Sequence, residues 1–73
     1  MHNQAIQLLD VVALTADVPH SGVLRGQVGT VVETLSPGVF EVEFSDDQGR
    51  AYAQLALDEN ALLVLHYQPE NAA

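Results

Sequence analysis

An all-β domain of five short strands, closed around one aliphatic core, is the fold class this 73-residue chain predicts. Three observations carry it. The stretch from Gly26 to Arg50, GQVGTVVETLSPGVFEVEFSDDQGR, is rich in Val and Thr and nearly free of helix-favouring runs. Val39 to Phe44 alternates apolar and acidic residues, the period of a strand with one wet and one packed face. Ser36-Pro37-Gly38 and Asp46-Asp47-Gln48-Gly49 then punctuate those strands as tight turns.

The elements follow in order. Residues 1–7 are small and polar and read as a flexible tail, ahead of a domain at 8–67 and a second tail at 68–73. Leu8 to Leu14, LLDVVAL, is an apolar run broken by Asp10. It is too short for a free-standing helix and suits a strand buried on both faces. Thr15 to Leu24 carries Asp17, Pro19, His20, Ser21 and Gly22, and reads as the longest loop.

A second strand runs from Val28 to Leu35. Gly29 lies near its start, where a missing side chain marks a bulge or a close backbone approach. Ser36-Pro37-Gly38 places proline and glycine as a type II turn requires, so the second and third strands form an antiparallel hairpin. In the third strand Phe40, Val42 and Phe44 point inward, and Val39, Glu41 and Glu43 point outward. Each buried phenylalanine contributes roughly 1.5–3 kcal/mol.

Gly49 is free to take a positive φ in the next turn. Ala51 to Leu57 has helix-favouring alanines, yet its link to a glycine turn makes it a fourth strand paired with the third. Asp58 caps one helical turn over Asp58-Glu59-Asn60, and Leu62 to Tyr67 is the last strand. Five strands, one long early loop and a helical turn before the last strand match an SH3-like barrel best. Closure of that kind removes exposed edges.

Composition bounds what the domain can do. A chain this short buries only about 60% of the surface its unfolded form exposes. Cysteine is absent, so neither a disulfide nor a thiolate metal site exists. With aromatics limited to Phe40, Phe44, Tyr52 and Tyr67, the core is built from Val, Leu and Ala. Hydrophobic residues are 48% and charged residues 16% of the chain, which favours self-association or a partner with an apolar patch.

Ten acids face two bases, Arg25 and Arg50, for a formal charge of -8. Such a charge disfavours nucleic acid and anionic membranes, since nucleic-acid affinity comes from Lys and Arg displacing counterions. Solubility alone accounts for it, and a basic partner is the sharper alternative. No signal peptide opens the sequence and no apolar run is long enough to span a bilayer, so a cytoplasmic location is expected.

Arg25 to Glu33, RGQVGTVVE, resembles the KOW-type motif of SH3-like barrels, in which a glycine pair opens a strand that ends in valines. In those families the strand and its turn often touch RNA or another protein. Arg25 stands alone here, where RNA-binding members carry several basic residues. Over about residues 8 to 66, from LLDVVAL to LLVLH, the chain also resembles a family of small bacterial proteins labelled as a domain of unknown function. That resemblance implies an SH3-like fold and brings no catalytic residues.

No catalytic constellation emerges. His2, His20 and His66 match no metal-ligand spacing, no serine sits on a strand-to-helix elbow, and Asp46-Asp47 lacks the rest of a calcium loop. No cofactor is therefore expected. Glu33, Glu41 and Glu43, with Asp46 and Asp47, form a candidate acidic face for a basic partner, against the simpler reading of solvated polar residues. The loop bearing Asp17 and His20 is a second candidate recognition element. The expected function is a non-enzymatic protein-interaction module, such as an antitoxin or immunity-type neutralising factor or an accessory subunit. The alternative is a KOW-like nucleic-acid or ribosome-associated domain.

Overall fold

Strand alternation at the centre of the chain sets the frame on which everything else hangs. The computed structural model describes residues 5–69. Its five strands are β1 (Val11–Leu14), β2 (Val28–Ser36), β3 (Val39–Ser45), β4 (Ala51–Asp58) and β5 (Leu62–Val64), with a 3-10 turn at Glu59–Ala61. All pairings are antiparallel, and the strands form one sheet in the order β4-β3-β2-β1-β5. Among the described residues β4 and β5 are its edges.

The hairpin of β2 and β3 follows the sequence closely. Gly38 closes its turn with φ 77°, and Ser36 pairs with Val39. Phe40, Val42 and Phe44 are buried, while Val39, Glu41 and Glu43 between them are half-buried. Gly29 shows the close approach expected of it. A Cβ there would lie 2.7 Å from Val42 Cγ1, 2.9 Å from Glu43 O and 2.9 Å from Phe44 Cδ2. Only hydrogen fits, so β2 can press directly against β3.

One sheet with no covering helix must find shelter for its apolar face from its own curvature and from its loops. Nine buried residues make the core: Val12, Leu14, Val23, Val31, Phe40, Val42, Phe44, Leu57 and Leu62. Every strand contributes, both edge strands included. Gln27, just before β2, donates its side-chain amide to the Tyr52 hydroxyl on β4 (3.0 Å), a bond that passes over the end of β3. The two bulges of β2, between Val31 and Glu33 and between Thr34 and Ser36, add the local twist that such curvature needs.

Two strands differ from the sequence expectation. β1 starts at Val11 and is not buried on both faces: Val12 and Leu14 are inside, Val11 and Ala13 half-buried. Ahead of it Leu8 and Leu9 are exposed in a turn, with Leu9 at φ 73°. That turn is tied by Gln7 N–H to Asp10 Oδ2 (2.8 Å) and by Asp10 N–H to Gln7 O (3.0 Å). Asp10 is thus the residue that ends the strand's apolar run. β5 spans three residues and stops at Val64, well short of Tyr67.

The long loop is ordered. Val18 and Val23 form an isolated antiparallel bridge, and Ser21 Oγ donates to Val18 O (2.8 Å) while accepting from Val23 N–H (3.0 Å). Val23 is thereby held in the core. Ile6 also packs against the core. At the other end Asp58 caps the 3-10 turn as expected, its Oδ1 accepting from Asn60 N–H (2.9 Å). Residues 1–4 and 70–73, which include His2 and most of the second tail, lie outside the described residues.

Candidate functional site

Glu33 joins Glu41 and Glu43 on one face through a single extra residue in β2. Along β2 and β3 the register runs Thr30 to Glu43 and Val31 to Val42, and an unbroken ladder would next set Glu33 opposite Phe40, in the buried row. The bulge after Val31 shifts Glu33 opposite Glu41 instead. Burying an unpaired carboxylate is far costlier than interrupting one rung, so the charge of Glu33 accounts for the bulge.

The result is a carboxylate row on the outer surface. Glu33 on β2 faces Glu41 on β3, which faces Ala56 on β4; two residues along, Thr30 faces Glu43, which faces Gln54. Glu33 is exposed, and Glu41 and Glu43 are half-buried. Directly opposed like charges destabilise a strand pair. No arginine among the described residues relieves them, because Arg50 is turned to Asp46 and Gln48 (3.3 and 3.0 Å).

Asp46 drops out of that face. Its Oδ1 accepts from Gln48 N–H (2.9 Å) and Arg50 N–H (3.0 Å), and its Oδ2 accepts from the Arg50 guanidinium (3.3 Å). The Arg50 backbone N–H chiefly holds its carboxyl below the usual aspartate value; desolvation opposes it next in size, and the Gln48 N–H and the Arg50 side chain add smaller pulls downward. Asp46 builds the turn. Asp47 beside it is exposed and makes none of these bonds.

Asp17 is structural in the same way. Its Oδ1 accepts from Arg25 N–H (2.8 Å) and so folds the long loop back onto the start of β2. His20 stands exposed in that loop at φ 67°, on a different connection from the carboxylate row. Of the seven candidate residues, then, the fold brings Glu33, Glu41 and Glu43 together on one surface and gives Asp46 and Asp17 to turns. No group of three or more His, Asp or Glu positioned to hold a metal occurs among the described residues.

Sequence reasoning missed an apolar strip on the outer surface. Leu63, Ala13 and Val28 lie in register across β5, β1 and β2, with Leu63 and Val28 exposed. A shallow groove beside it is lined by Ala13, Thr15, Arg25, Gly26 and Leu63. No periodic signal reveals it, since the runs LLDVVAL and LLVL are apolar at every position that matters.

Among the described residues no helix is long and apolar enough to cross a membrane. No curated protein and no solved structure gives a significant match to the chain. A family model does: that described as "Domain of unknown function (DUF4926)" matches residues 8–64, and the chain belongs to this family.

Proposed function

We propose that this domain is a non-enzymatic, cytoplasmic protein-interaction module whose sheet is of the SH3-like barrel type. A basic surface of another protein docks on Glu33, Glu41 and Glu43. The observation that carries this is the Glu33–Glu41 pair: two carboxylates set opposite each other, with no arginine of the chain nearby to balance them. A partner's Lys or Arg would turn that repulsion into charge-assisted hydrogen bonds. A neutralising factor for a basic enzyme, of antitoxin or immunity type, is one concrete form, and an accessory subunit is another.

Strand order, the long first loop, the 3-10 turn before β5 and the core shared by both edge strands support the barrel reading. The tight fit of Gly29 supports a KOW-like motif kept as architecture. Nucleic-acid binding gains only Arg25 from that motif and is opposed by a charge of -8.

The test is affinity capture from the source cell with the wild-type chain and with Glu33→Gln/Glu41→Gln/Glu43→Gln, at low and high salt. The expected result is a basic protein retained by the wild type, released by salt and lost with the triple variant. Equal retention by both chains would remove the acidic face from the account.

A further inference from the structure

The longest unpaired strand edge among the described residues is the outer edge of β4. At eight residues it is much longer than the other edge strand, β5, with three. Its sequence, AYAQLALD, holds no lysine, arginine, proline or glycine, the residues by which edge strands usually resist pairing. Its only charge is Asp58 at the end. In a chain of formal charge -8, that uncharged run is the longer of the two strand edges on which a second copy could approach closely.

The ladder fixes which groups face out. Glu59 N–H donates to Gly38 O (2.9 Å), and bonded and non-bonded pairs alternate from there along β3 and β4. Phe40–Leu57, Val42–Leu55 and Phe44–Ala53 are then the bonded pairs, so Gln54 and Ala56 turn their N–H and C=O groups away from β3. No strand pairs with that side of β4, and no turn or loop backbone bond among the described residues takes up those groups. Both residues are exposed, and Leu55 between them is half-buried at the margin of the core.

We infer that β4 pairs antiparallel with β4 of a second copy of this chain, about a two-fold axis at Leu55, joining two five-stranded sheets into one. The irregularity between Phe44 and Ser45, opposite Tyr52, ends the regular ladder, which leaves Ala53–Leu57 as the stretch that pairs with itself without a break. Gln54 of one copy then bonds Ala56 of the other, and the two Leu55 side chains meet on the inner face. Ala53 lies beside Leu57 there, extending both cores. No like charges are opposed. Glu43 and Glu41 of the other copy sit three strand spacings apart, about 14 Å, beyond the screening length of about 10 Å at 0.1 M salt. Association therefore strengthens as salt rises from low concentration.

Sedimentation of the whole chain at 0.1 M salt tests this, with an expected mass twice the 7.8 kDa of one chain. Ala56→Pro removes one outward N–H and leaves the β3 ladder intact; the expected mass falls to that of one chain with an unchanged circular dichroism spectrum. Leu55→Cys gives an independent readout, because the chain has no other cysteine. Opposed Cα atoms in such a pair lie about 4.5 Å apart, within disulfide reach. Oxidation is expected to link Leu55→Cys at least tenfold faster than Thr34→Cys on exposed β2. A single-chain mass up to millimolar concentration would overturn the inference. So would a folded Ala56→Pro dimer, or equal linking of the two cysteine variants.

Discussion

Gly29 is the residue on which the β2–β3 contact turns. Val42, Phe44 and the Glu43 carbonyl already occupy the space a methyl group would need, so Gly29→Ala must push two strands apart. The expected loss is about 1–3 kcal/mol of stability, read as a lower urea midpoint. Asp46 makes a different kind of prediction. Its carboxyl is held below the ordinary 3.8, so its ionised form is bound more tightly in the folded chain than in the unfolded one. That stabilisation is complete above about pH 3.8 and disappears as pH falls through the lowered folded value. Asp46→Asn should therefore melt below the wild type at pH 7, and the gap between the two should close on acidification below pH 3.8. A gap independent of pH would show that the Asp46 charge is idle.

The elements differ in how plainly the sequence announces them, for physical reasons. β3 was legible because one face is wet, and the acids between Phe40, Val42 and Phe44 record that face. β4 was legible from its turn, despite its alanines, since tertiary pairing overrides a weak helix propensity. β1 was read too long and too buried because LLDVVAL carries no period. Its outer positions are apolar too, and Ala13 lies in the strip between Leu63 and Val28. The loop was read as a connection, whereas the Val18–Val23 bridge and the Ser21 bonds make it part of the core's lid. Val23→Ala should accordingly cost about 2 kcal/mol, seen in the urea midpoint. A change under about 0.5 kcal/mol is what an exposed loop residue would give. The candidate site was legible as composition, but its arrangement was not. Glu33 reaches the face of Glu41 only through a bulge, and the demotion of Asp46 and Asp17 to turn-building needs their hydrogen bonds to be seen.

At the scale of the whole molecule, net charge and curvature decide the behaviour. Ten acids on so small a domain repel one another in the folded state more than in the expanded chain, so added salt should stabilise it. Thermal midpoints are expected to rise between 0.01 and about 0.3 M sodium chloride, a range over which the screening length shrinks severalfold. A midpoint that falls with salt would point to ion pairing as a main source of stability. Curvature is the more basic matter, because a single sheet buries Val12, Val31, Val42 and Phe44 only if it wraps around them. The short link between the two edges reports that wrapping: Asp58 at the end of β4 and Leu62 at the start of β5 are joined by only the three residues of the 3-10 turn. In a flat sheet β4 and β5 would lie four strand spacings apart, about 19 Å, whereas the four residue steps from Asp58 to Leu62 reach about 14 Å at full extension. A nuclear Overhauser contact between the side chains of Leu57 and Leu62, which the two edge strands bring into one core, is the predicted result. Its absence, with the β2–β3 and β3–β4 ladder contacts all present, would contradict the account.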